Sequence, residues 1–125
     1  MPARLRVADP ATVAAALASR TPADDRLLVK HFLAVLAERA PGSSVEVRVP
    51  PVAAAQVIPG VRHTRGTPPA VVETDPGTWI DVARGELTWH DAVATGRVLA
   101  SGERTDLTPY LPLTAPAPTR PTIED

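Results

Sequence analysis

Three prolines stand directly after residues of the helix-capping type, and they constrain where helices begin. They occur in Asp9-Pro10, Thr21-Pro22 and Asp75-Pro76. Asp and Thr side chains accept hydrogen bonds from the free N–H groups of a first helical turn, and proline fits the first helical position because its missing N–H has no partner there. The chain has 15 prolines in 125 residues, well above the usual share of about 5%. We interpret them as boundaries of short elements and predict a helix after each of the three caps.

The segment after the second of these prolines has the clearest helical pattern. Leu28, Phe32, Val35 and Leu36 recur at intervals of one to four residues that place them on one helical face. Pro41-Gly42 ends the pattern. The sequence therefore predicts an amphipathic helix whose apolar face covers a sheet.

The pattern then changes to the alternation of a β-strand. Val45, Val47 and Val49 alternate with charged residues and share one face. Further β-type segments follow at 52–58, 61–65, 70–74 and 97–101. Because the connections are mostly shorter than the dozen residues of a parallel crossover, we expect antiparallel pairing. The order of elements predicts an α+β fold in which helices cover a mainly antiparallel sheet of about five strands.

Composition excludes several classes of function. There are 13 Lys and Arg against 14 Asp and Glu, and few aromatic residues, so the chain lacks the charge and stacking side chains typical of nucleic-acid binding. The absence of cysteine excludes thiolate chemistry and disulfides. No apolar run approaches the roughly 20 residues of a transmembrane helix, and the first residues lack the apolar region of a secretory signal. We expect a cytoplasmic protein.

Catalytic and metal-binding motifs are not recognisable. His31, His63 and His90 fall on different predicted elements, whereas a metal site needs three or four convergent ligands. No serine lies in a G-x-S-x-G turn, and Asp75 is explained as a helix cap. We therefore predict no catalytic residue, no metal and no cofactor.

One polar cluster is not required by the fold. His63 and Arg65 lie beside Gly66, where backbone N–H groups and positive charge suit a carboxylate or phosphate. A solvated strand end followed by a loop explains the same residues. Both interpretations stay open from the sequence.

The second half of the chain resembles a known family. From 74 to 113 the order is Asp75-Pro76-Gly77-Thr78-Trp79, Gly85-Glu86-Leu87, Ala92, Gly96-Arg97-Val98, Ser101-Gly102 and Leu107. This order is similar to that of sterol-carrier-protein-type domains. The stretch from 9 to 113, including 63–69, also resembles a compact bacterial set of sterol-carrier-like proteins.

This resemblance implies a largely antiparallel five-stranded sheet packed with helices around an apolar tunnel for lipids. With it we expect an N-terminal extension at 1–8, a single sterol-carrier-like domain at 9–113, and a disordered proline-rich tail at 114–125. The implied function is non-enzymatic binding of an apolar or amphipathic small molecule, such as a lipid or acyl chain.

The predicted ligand site has an apolar lining and a polar mouth. The lining is Phe32, Leu36, Val47, Val49, Trp79 and Leu111, and the mouth is His63 and Arg65. The alternative is an accessory or interaction domain in which the same apolar residues fill a core, acting through its surface or by forming a homodimer. A small enzyme using His63 and Arg65 is a third hypothesis. Composition does not choose between a lipid site and a filled core.

Overall fold

The computed structural model describes residues 5–60 and 70–114 of the chain. His63, Arg65 and the predicted extended segment at 61–65 lie outside these residues, as does the tail from 115 onward. Within the described part, no helix is both long enough and apolar enough to cross a membrane.

The described residues form four helices, three after the predicted caps Asp9, Thr21 and Asp75 and a fourth after Thr88. They are α1 (Pro10–Ser19), α2 (Pro22–Arg39), α3 (Pro76–Arg84) and α4 (Trp89–Ala94). The cap side chains accept hydrogen bonds from first-turn N–H groups, and Thr21 and Asp24 form a reciprocal capping box. The three predicted proline-initiated helices are therefore confirmed. A single 3₁₀ turn, Thr108–Tyr110, follows near the end of the described chain.

The sheet contains β1 (Val45–Val49), β2 (Ala53–Val57), β3 (Ala70–Thr74) and β4 (Val98–Ser101) in the order β2-β1-β3-β4. Strand β1 is antiparallel to β2 but parallel to β3, and β3 is antiparallel to β4. The α+β class is confirmed. The expected sheet of about five mainly antiparallel strands is wrong for the described residues, which form a mixed sheet of four.

The physical reason lies in which strands are neighbours. Short connections require antiparallel pairing only between consecutive strands that are neighbours in the sheet, and β3 does not pair with β2. Val57 and Ala70 both lie beside Val45, on opposite sides of β1. Strand β3 therefore starts on the side of β1 opposite to β2 and runs in the direction of β1.

One face of this sheet packs on the helices. Val45, Val47 and Val49 are fully buried, and they join the buried side chains of α2 and α3 in one core cluster. On the opposite face Glu46 and Arg48 form an ion pair of 2.8 Å and remain accessible. The alternating pattern of β1 is thus explained by burial on one side only.

Helix α1 and the residues before it pack against α2 rather than on the sheet. Ala16 is buried, and Leu5, Val13 and Leu17 pack partly buried against the core. Ordered side chains of α1 and of residues 5–8 therefore add a second layer over α2.

Candidate functional site

The predicted apolar lining is packed core in the structure. Phe32, Leu36, Val47, Val49 and Trp79 are each at most 1% exposed and belong to one cluster. Leu111 is partly buried and packs against that cluster. The structure thus brings all six side chains into or against one core, and Phe32 alone among them also lines the groove described next.

An apolar groove of about 550 Å³ lies between α1, α2 and the two ends of the described chain. Val13, Ala14 and Leu17 of α1 face Phe32 and Val35 of α2 across it. Its volume falls within the usual range of small-molecule sites, roughly 300–1,000 Å³. We call this space the apolar groove.

The corner between α1 and α2 holds the walls of the groove in place. Arg20 has a left-handed backbone conformation with φ of 56° and ends α1 by donating its N–H to the carbonyl of Ala16. Its side chain forms an ion pair of 2.5 Å with Asp25, which raises the Arg20 pKa. This ion pair therefore links the C-terminal end of α1 to the N-terminal part of α2.

His31 contributes a polar atom to the apolar groove. It is 9% exposed, and its Nδ1 accepts a hydrogen bond of 2.9 Å from the N–H of Ala8. An accepting Nδ1 places the imidazole proton on Nε2. Burial lowers the His31 pKa, and the charge of Glu38 opposes this effect only in part. The ring also lies edge-on to Phe32 at 4.9 Å.

Arg39 of α2 holds the C-terminal residues of the described chain beside the apolar groove, where they form its C-terminal wall. Its guanidinium donates to the carbonyls of Pro112 at 3.0 Å, Tyr110 at 3.3 Å and Leu113 at 3.4 Å. The N–H of Leu113 donates in turn to the carbonyl of Ala83 at 2.7 Å. Leu113 and Thr114 thereby line the groove.

A second groove of about 520 Å³ lies on the other side of residues 5–8. Its lining includes Arg6, Arg26 and Lys30, together with the apolar side chains of Leu5 and Leu27, and no acidic residue. We call it the basic groove. The two grooves share Val7 and Ala8 as a common wall.

Metal binding finds no support in the described residues, which contain no group of three His, Asp or Glu side chains able to hold an ion. Asp75 acts as the cap of α3. Partial burial opposes its ionisation, but hydrogen bonds from the Thr78 hydroxyl and N–H outweigh that effect and lower its pKa. Its carboxylate is therefore engaged in structure.

Sequence reasoning missed the contribution of α1 to the site. Val13, Ala16 and Leu17 have helical spacing, and this signal predicts a packed face on a helix that was recognised only by its cap. The role of residues 5–8 has no comparable signal, because four residues show no period.

Comparison with known families matches residues 21–113 to a model described as bacterial SCP ortholog. The matched range begins at the Thr21 cap of α2 and ends at Leu113. It therefore includes the sheet and one wall of each groove, but not residues 5–8 or α1. No curated protein matches the chain.

Proposed function

The chain belongs to the family of bacterial orthologs of sterol carrier protein, and we propose that it is a non-enzymatic carrier that binds an apolar or amphipathic small molecule in the apolar groove. The observation that carries this proposal is a groove of about 550 Å³ with apolar walls from both α1 and α2. An acyl chain is a suitable ligand, since burial of each CH₂ contributes about 0.8 kcal/mol.

The groove suits this role better than the interior behind it. Leu36, Val47, Val49 and Trp79 are at most 1% exposed, so a ligand among them requires the core to open. Phe32 belongs to both the predicted lining and the groove. In the proposal, the other predicted lining residues support Phe32 from within, and Leu111 packs at their edge. His63 and Arg65 stay predicted residues of the polar mouth.

The test is a variant that fills the groove. Ala14 and Ala15 are both exposed on α1, but only Ala14 lines the groove. Ala14→Trp should abolish binding of a fluorescent fatty acid and remove any ligand mass seen by native mass spectrometry, whereas Ala15→Trp should retain both. A wild-type protein that is ligand-free and does not bind the fatty acid contradicts the proposal.

A filled core also favours a second candidate, an interaction domain acting through its surface. Leu99 on the edge strand β4 is 64% exposed, more than any other large apolar side chain among the described residues. If this face mediates self-association, Leu99→Ser should convert a dimer to a monomer by light scattering. A monomeric wild-type protein that binds fatty acid would eliminate this candidate.

A further inference from the structure

We propose that the ligand of the apolar groove is an anion, with its carboxylate or phosphate head held in the basic groove by Arg6, Arg26 and Lys30. This inference rests on the proposed function and adds the charge class of the ligand and the residues that select it.

The three cations of the basic groove have no hydrogen-bond or ion-pair partner in the part of the chain that the structure describes. Each of the three side chains is exposed. Of the acidic residues nearest in sequence, Asp9 and Asp24 form capping hydrogen bonds at the starts of their own helices, and Asp25 pairs with Arg20. Within residues 5–60 and 70–114, no carboxylate lines the basic groove or forms an ion pair with its three cations.

The arrangement of the cations is unfavourable in the absence of an anion. Arg26 and Lys30 are one turn apart on α2, and like charges at this spacing repel each other. Arg6 adds a third positive charge from the opposite wall. A carboxylate or phosphate presents several oxygens between these walls and turns mutual repulsion into charge-assisted hydrogen bonding. The net charge of the chain is −1, so the attraction depends on this local cluster.

The two grooves adjoin each other, because Val7 and Ala8 line both. Val7 is 41% exposed although it is apolar. In the proposal, the acyl chain of a ligand whose head lies in the basic groove crosses the Val7 side chain, covers it and enters the apolar groove. One amphiphile would then bind the three cations through its head and bury the exposed surface of Val7 with its tail.

The head site combines residues inside and outside the matched range. Arg26 and Lys30 lie on α2 within residues 21–113, whereas Arg6 and Val7 precede Thr21, where the family match begins. The N-terminal segment therefore contributes the second wall and the third positive charge of the site.

The experiment compares decanoate with 1-decanol, which has the same chain length and no charge, by titration calorimetry on the full chain. Arg26→Gln/Lys30→Gln should weaken decanoate binding by about tenfold and leave decanol binding unchanged. Arg48→Gln/Arg97→Gln removes two exposed positive charges elsewhere and should affect neither ligand. Val7→Ser should weaken both ligands, because it alters the apolar path. Thermal unfolding verifies that each variant is folded.

The outcomes separate this inference from the proposed function. The head site is wrong, while the carrier function stands, if decanol binds but Arg26→Gln/Lys30→Gln leaves the affinity for decanoate unchanged. The same conclusion follows if Arg48→Gln/Arg97→Gln weakens decanoate binding as much as Arg26→Gln/Lys30→Gln does. If neither compound binds the wild type, both fail. Binding to phosphatidylglycerol vesicles without binding to monomeric decanoate also overturns the inference, because the anion is then a membrane surface.

Discussion

The N–H of Ala8 donates a hydrogen bond of 2.9 Å to Nδ1 of His31, joining the N-terminal segment to α2. A histidine accepts at Nδ1 only when it is neutral there. Protonation would place a second donor opposite the Ala8 N–H and a charge in a position that is 9% exposed. The packing of residues 5–8, which separate the two grooves, therefore depends on the protonation state of His31.

The first prediction is a loss of stability below neutral pH. Because burial holds the folded-state pKa of His31 below its ordinary value of 6.5, the unfolded chain binds this proton first and stability falls as pH decreases through 6.5 towards the lower folded pKa. Urea denaturation at pH 7.5 and pH 5.5 should reveal the loss. His31→Gln should reduce the difference between the two pH values.

His90 provides the matched control for this measurement, since it is exposed on α4. His90→Gln should leave the pH dependence of the wild type intact. The carboxylates with lowered pKa values, Asp9, Asp24, Asp75 and Asp106, lose their stabilising effect only at more acid pH. An equal effect of the two histidine variants would show that the Ala8 contact is not the origin.

Local signals in the sequence determine much of this fold, and long-range pairing does not follow from them. The cap at Thr21 and the period of Phe32 are properties of a few neighbouring residues, so the start and the buried face of α2 were predictable. The parallel alignment of β1 with β3 depends on Val45 meeting both Val57 and Ala70. Nothing near those residues encodes that choice.

The candidate site was predictable only where it coincides with the core. Phe32 was found by its helical period, and the same period also marked Leu36, which is fully buried. The groove itself lies between residues 7–17 and α2, and even the nearest lining residues of the two segments, Leu17 and His31, are 14 residues apart in the chain. His31 had no sequence signal, because its role depends on the backbone of Ala8.

A second prediction concerns Trp79, whose ring is fully buried in α3. Its indole N–H has no hydrogen-bond partner among the described residues. Leaving a buried donor unsatisfied costs about 1–3 kcal/mol. Trp79→Phe removes that donor but leaves a small cavity, so the free energy of unfolding should change by less than about 1 kcal/mol.

The comparison for this position is Trp79→Ala, which removes the whole ring and should cost about 3–5 kcal/mol. Guanidinium denaturation of the two variants measures both values. A loss above about 2 kcal/mol in Trp79→Phe would indicate that the N–H is satisfied in solution or that the cavity does not relax.

A third prediction concerns the C-terminal wall of the apolar groove. Arg39 donates to the carbonyls of Tyr110, Pro112 and Leu113, and hydrogen bonds from a charged donor contribute about 1.5–3 kcal/mol. Arg39→Met keeps the aliphatic stem and should lower the free energy of unfolding by about 1–2 kcal/mol, allowing for partial exposure. Limited proteolysis with trypsin should also cleave the variant faster after the exposed Arg104, because the segment that follows is held less firmly.

Arg48→Met serves as the control, because Arg48 makes an accessible ion pair with Glu46 that is worth at most about 1 kcal/mol. Its proteolysis pattern should match that of the wild type. If the Arg39 variant also keeps the wild-type rate of cleavage, other contacts hold the segment from 110 to 114 against the helices.

The fourth prediction uses two glycines with similar backbone conformations and different surroundings. Gly102 has a φ of 95°, and a Cβ placed on it would lie 2.8 Å from both the Cα and the Cβ of Ala70, at the start of β3. Gly96 has a φ of 78°, and its added Cβ would have no neighbour within 4 Å in the described structure.

Both glycine positions disfavour any residue with a side chain, at a cost of about 1–2 kcal/mol for the left-handed conformation. Gly96→Ala should therefore lose only that amount, whereas Gly102→Ala should lose at least about 1 kcal/mol more because Ala70 and the pairing of β3 with β4 must shift. Urea denaturation of the two variants gives the difference, and equal losses would mean that β4 moves away from Ala70 without resistance.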